Sequence, residues 1–265
     1  MTASIAGFGM SSSLDRLGKG LLSLAAVALL AVTPAAPAAS SPTVDDIVGR
    51  YVSARGGVKK IRSIQTLRQT GQATTGAGRH GLVTRELKRP GKVRFEFKVQ
   101  GVTAVFASDG RRGWKVAPFE GDMSIQPLSD EVVGDMVEQA DIEGPLVDYK
   151  AKGHKAELVG HENVGDRDAY KIKLTLKNGV VRHEYIDVKN LHLLRTDTTR
   201  LTPKGPVQIE TTFGDYRKTS GMLFPHRVEV QAVGRPQSLR VVVDKVEVNP
   251  PLSDARFEMP VPALP

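Results

Sequence analysis

A mainly β fold, either one strongly curved antiparallel sheet with helices on its concave face or an open barrel, is what this sequence of 265 residues predicts. Three observations carry the prediction. About ten or eleven segments alternate apolar and polar residues with a period of two. Only two long segments show helical spacing, and they do not alternate with the strands, which argues against a βαβ arrangement. No Pro- or Gly-rich linker divides the chain, so residues 40–265 read as a single domain behind a leader.

The leader comes first. Arg16 and Lys19 precede an apolar run from Leu21 to Val32, and small residues follow as far as Ala38 and Ala39. That order is a secretory signal peptide, cleaved near residue 39. The apolar run is shorter than the roughly 20 residues needed to span a bilayer core. The sequence has no cysteine, so neither disulfides nor an acylated cysteine is expected, and the protein reads as free in the periplasm.

Next, Val44, Ile47, Val48, Tyr51 and Val52 share one helical face, with Thr43 as cap and Gly56-Gly57 as stop. A short helical turn around Val58–Ile61 follows. From Thr66 the period changes to two. The segments TLRQTGQATT, GLVTRELKRP, KVRFEFKVQ and VTAVFAS read as successive strands. In the third, Val93, Phe95, Phe97 and Val99 alternate with Arg94, Glu96 and Lys98, giving one apolar and one charged face. PLSDEVVGDMVEQA then returns to helical spacing behind Ser129 as cap. Seven further strand segments, from HKAELVGH to SLRVVVDKVEV, complete an antiparallel meander with Gly, Asn, Asp or Pro at the joins.

Composition narrows the function classes. The formal charge of +8 and a pI near 9.7 favour anionic partners. No Arg-rich run with interleaved aromatics exists, so nucleic acid is not expected. The Gly76–Gly81 stretch GAGRHG lacks the Lys-Ser/Thr pair that meets phosphates and reads as a hairpin loop. The histidines, His154 and His161 among them, lie on strands whose geometry does not bring them together, so no metal site is expected. Asp215, Ser220 and His226 suggest a hydrolytic triad. They fall instead on two strands and the turn between them, with Ser220 projecting away. In that reading Phe213, Leu223 and Phe224 point inward, Asp215 and His226 are turn-side polar residues, and no catalytic residue is assigned.

Lys88-Arg89-Pro90 closes one strand, and Ser108-Asp109-Gly110, Trp114 and Pro118-Phe119 follow. The chain ends on DARFEMPVP, from Asp254 to Pro262. Together these resemble the motifs of the periplasmic lipoprotein carrier LolA and its relatives. The resemblance implies an incomplete antiparallel barrel round a hydrophobic cavity covered by two or three helices, with no cofactor and no enzymatic chemistry. It implies a carrier of lipid or lipoprotein acyl chains that moves them towards the outer membrane. Inner- and outer-membrane transfer proteins would be its partners, contact with membrane transient, and the chain a monomer. Arg89 stands where the family has its lid-holding arginine. Phe95, Phe97, Val99, Phe106, Trp114 and Phe119 are the candidates for the ligand-binding wall. Two alternatives stay open: an envelope-stress sensor or regulator using the same barrel to bind a protein, and a secreted hydrolase. The sequence departs from the family's pattern at Val93, where the family has an aromatic residue, and over Gly121–Tyr149.

Overall fold

The computed structural model describes residues 41–202, 205–236 and 238–260. The leader expected over residues 1–39 and Pro262 of the terminal motif lie outside them. Among the described residues, α1 (Val44–Ala54) and α2 (Val58–Ser63) lead into β1 (Thr66–Thr75), β2 (His80–Lys88), β3 (Lys92–Val99), β4 (Val102–Ser108), β5 (Gly113–Ala117) and β6 (Asp122–Pro127). After α3 (Asp130–Gln139) come β7 (Lys155–Val164), β8 (Arg167–Thr175), β9 (Val181–Asp187) and β10 (Leu193–Thr202). The strands β11 (Gly205–Thr219), β12 (Met222–Ala232) and β13 (Ser238–Val248) complete the order.

The strands form a single antiparallel sheet in the order β6-β5-β4-β3-β2-β1-β13-β12-β11-β10-β9-β8-β7. It consists of two meanders, β1–β6 and β7–β13, joined by pairing of the first strand with the last. The sheet is curved and unclosed, with β6 and β7 as its free edges. Those two strands are consecutive in the chain, so the segment between them, containing α3, has to run from one edge to the other. It does so across the inner face.

Local chemistry explains the helices. Thr43 caps α1 in a reciprocal capping box with Asp46, and Ser129 caps α3. The Gly56-Gly57 stop allows α1 to end against the β11–β12 turn: a Cβ on Gly56 would stand 2.8 Å from the Gly221 carbonyl oxygen. That turn is a two-residue hairpin, with Ser220 at φ 52° and Gly221 at φ 76°, the backbone a tight turn between right-twisted strands requires.

Two apolar clusters lie on the inner face. Ile61 and Ile64, Met136 and Ala140 pack on Leu67, Leu87, Val93 and Val246 in the middle of the sheet. Ile47, Val48 and Tyr51 of α1 pack on Tyr170, Ile172, Leu174 and Ile186 of the second meander. The outer face of the first meander is covered differently. The C-terminal segment after β13 lies along it, with Phe257 fully buried, a burial that contributes about 1.5–3 kcal/mol.

All eleven expected strand segments are present, and β5 and β6 are additional. Both are short, and β6 (DMSIQP) carries little alternation that a sequence pattern could register. Residues 118–120 between them form a single 3-10 turn.

Candidate functional site

Pairing register places the residues of the first meander in rows. Gln69, Arg85, Phe95 and Phe106 stand opposite one another on β1, β2, β3 and β4. One row further along, Gly71, Val83, Phe97 and Ala104 are aligned, and then Ala73, Gly81, Val99 and Val102. These rows share the inner face with Leu67, Leu87 and Val93, because side chains alternate strictly along each strand. Phe95 and Phe106 pack against the central cluster at its margin. Phe97 and Val99 are half-buried and belong to neither cluster. Gly81 makes room here: a Cβ would stand 2.7 Å from Val99 and 2.9 Å from the Phe97 ring. Phe119 joins the strip from the 3-10 turn, edge-on to Phe97 with ring centroids 6.1 Å apart. Four expected wall residues and Phe119 are therefore brought together.

Arg89 sits at the rim. Its Nε donates to the Ile64 carbonyl at 2.7 Å and its Nη2 to the Glu143 carboxylate at 3.0 Å. A longer bond of 3.4 Å reaches the Ile61 carbonyl. One side chain thus ties the end of β2 to the C-terminus of α2, whose carbonyls lack helical partners, and to the segment following α3. Glu143 is nearly buried and also faces Lys152 Nζ at 3.4 Å, while Arg55 donates to the Glu143 carbonyl. The helical covering is fastened to the sheet by this polar group.

Trp114 is placed apart from the strip. It opposes Ala107, which opposes Arg94, and these residues face outward. Its Nε1 donates to the Phe257 carbonyl at 3.1 Å, and the Arg94 guanidinium lies 5.4 Å from its ring centroid. Arg94 also donates to the Arg256 carbonyl at 2.9 Å, Arg256 to Glu86 at 2.7 Å, and Lys88 to Asp254 at 2.7 Å. On the rim, the Gly91 and Gly110 turns touch, a Cβ on Gly110 falling 3.4 Å from the Gly91 oxygen. The Lys-Arg-Pro, Ser-Asp-Gly and terminal motifs thus meet in one place. Lys88 and the terminal residues brace the outer face, while Ser108, opposite Val93, lies on the inner face and Arg89 bonds to the helical covering.

The second meander has a different inner face. Glu184, opposite Ile172, is buried and is held by Arg182 Nε at 2.8 Å and the Thr196 hydroxyl at 2.7 Å. Arg182 reaches on to Glu138 of α3 at 2.8 Å. His226 is buried rather than turn-side, with Nδ1 2.7 Å from the Val243 carbonyl. Asp215, at φ 51° opposite His226, is ion-paired with Arg217, and its carboxyl is held below the ordinary range by that bond. Asp215 and His226 are engaged separately, and Ser220 is exposed in the turn, so the three do not form a triad. Phe224 is in the central core as expected, whereas Leu223, between the core residues Met222 and Phe224 on β12, is turned to the opposite face by strand alternation. A cleft of about 430 Å³ bordered by Asp166, Arg167, His192, Tyr216 and Arg227 mixes charges of both signs, unlike the apolar strip.

The class these features define is an unclosed antiparallel half-barrel, with helices over its inner face and an apolar strip left half covered. Solved structures of that class are similar to this chain. A DUF1329 family protein from Desulfovibrio piger has a TM-score of 0.57 at 16% identity, covering 82% of this chain and 98% of its own. A LolA superfamily protein from Nitrosomonas europaea has a TM-score of 0.51 at 12% identity, covering 82% and 98%. A putative outer membrane lipoprotein-sorting protein domain from Vibrio parahaemolyticus has a TM-score of 0.53 at 13% identity, covering 80% and 94%. The fold is LolA-like, as the sequence motifs suggested, and at these identities the likeness speaks for the fold alone. The sequence matches no protein-family profile, and no curated protein matches it significantly.

Proposed function

We propose that the protein is a non-enzymatic periplasmic carrier, a single LolA-like domain over residues 40–265, that holds lipid or lipoprotein acyl chains on its inner face and moves them towards the outer membrane. One observation carries this reading: Phe95, Phe97, Val99 and Phe106 form a continuous apolar strip on the inner face, half-buried beside helices fastened by Arg89. An acyl chain leaving water for such a surface gains about 0.8 kcal/mol per CH₂, so apolar burial alone suffices for binding. The Vibrio neighbour's description as a lipoprotein-sorting domain is in keeping with it. Arg89 would govern access, since its bonds must loosen if α2 and the segment after α3 are to move off the strip.

Mass spectrometry of an organic extract of protein purified from its own host tests the proposal. Copurifying lipid at a fixed ratio is the expected result. Protein that carries none, and takes up no fluorescent fatty acid, is not a carrier. Arg89→Leu is expected to exchange ligand several-fold faster while keeping its far-ultraviolet circular dichroism. Exchange at the wild-type rate would remove Arg89 from the opening step.

A further inference from the structure

Arg85 stands inside the apolar strip. It occupies the inner row between Gln69 and Phe95, where alternation from Leu87 and Val83 would place an apolar side chain. Nη1 donates to the Gln69 side-chain oxygen at 3.0 Å and Nη2 to the Gln139 carbonyl of α3 at 2.7 Å. The guanidinium lies 5.9 Å from the Phe95 ring centroid. Both acceptors are neutral, and among the described residues no carboxylate pairs with it.

The other half-buried strand arginines differ. Arg68, Arg94, Arg167, Arg182 and Arg195 each face a carboxylate at 3.0 Å or less. A guanidinium withdrawn from water needs an anion to compensate it. Partial burial without one pulls the pKa of Arg85 down to about 10. Two of its five N–H donors are used in the bonds above, and the side chain is only half-buried, so the remaining donors are available to a ligand.

We propose that Arg85 is the headgroup site of the bound ligand and that this ligand is a fatty acid, its carboxylate on the guanidinium and its chain along Phe95, Phe97 and Val99. The inference rests on the carrier reading above and specifies its ligand. The planar fork of donors matches a carboxylate in two parallel bonds. Gln69, Gln139 and Phe95 already flank the group, which favours the smallest anionic head. From Phe95 to Val99 the strip runs about 13 Å along the strand, room for a substantial part of an acyl chain.

Fluorescence titration of the delipidated mature protein with cis-parinaric acid and with its methyl ester tests this. The acid is expected to bind at least tenfold more tightly than the ester. Arg85→Met should abolish that preference, bringing the acid to the affinity of the ester, and Arg85→Lys should keep most of it. Equal affinities in the wild type, or a preference that persists in Arg85→Met, overturns the assignment. If Arg85→Met does not fold, the wild-type ratio and Arg85→Lys decide. Tighter binding of lysophosphatidate than of a fatty acid of equal length would replace the carboxylate with a phosphate and refute the ligand named here. If neither acid nor ester binds the wild type, the carrier reading itself fails.

Discussion

The two meanders share one sheet and one alternation pattern, yet their inner faces are filled to different extents. In β7–β13 the inner face is filled: Ile172, Leu174 and Ile186 are fully enclosed under Ile47, Val48 and Tyr51 of α1. In β1–β6 the inner face is filled only in its upper rows, and Phe97 and Val99 remain half-buried. That half is held from outside, by Phe257, Trp114, Arg94, Arg256 and Glu86 under the C-terminal segment. A surface kept free for a ligand, as proposed for this strip, cannot also supply the core, so its strands need support elsewhere. The outer brace provides it.

The largest test of that asymmetry removes the brace. Phe257→Ala leaves a large void beneath Trp114 and should destabilise the protein by about 3–5 kcal/mol. Hydrogen exchange is expected to accelerate first in β2–β5, with β8 and β9 protected until global unfolding. Uniform acceleration across both meanders would mean that the brace serves the whole sheet. Ile172→Ala makes the converse cut and should cost about 2–5 kcal/mol while leaving ligand uptake intact. Phe97→Ala should behave oppositely. Its ring is only half-buried, so a loss of roughly 1–2 kcal/mol is expected, together with weaker fatty-acid uptake. If thermal unfolding ranks Phe97→Ala level with Ile172→Ala, the first meander has a filled core after all.

Much of this was legible in the sequence, for identifiable reasons. Strict alternation in KVRFEFKV placed Phe95, Phe97 and Val99 on one face, and the structure keeps them there with Phe106 opposite Phe95. The caps at Thr43 and Ser129 announced their helices. Trp114 reads as a strip residue in the sequence because the short β5 carries no strand signal there. Five residues give too short a run to establish parity, and parity is what turns Trp114 outward. Arg85 does not read as a site in sequence, for a related reason. The signal was present, a charge at an apolar-face position two residues before Leu87, but its meaning depends on Gln139 and Gln69, which no local pattern connects to it. Likewise His226 looked turn-side in sequence because its burial comes from the register of β12 on β13.

The smallest expected effect concerns the end of the brace. Asp254 is exposed and accepts from Lys88 at 2.7 Å and Lys92 at 3.0 Å, and these bonds hold its carboxyl below the ordinary value of 3.8. A carboxyl whose pKa is depressed on folding contributes its stability fully above the unfolded value and loses it as pH falls through the folded one. The contribution should therefore be complete at neutral pH and disappear in acid, below about pH 4. An exposed pair is worth little, and salt screens it further. The consequence is local: between pH 5 and 3, exchange in β2 and β3 should quicken relative to β8. Asp254→Asn should show the faster exchange already at neutral pH, with a flatter acid response. Superimposable pH profiles for wild type and Asp254→Asn would remove this ion pair from the brace and leave Phe257 and Trp114 as its substance.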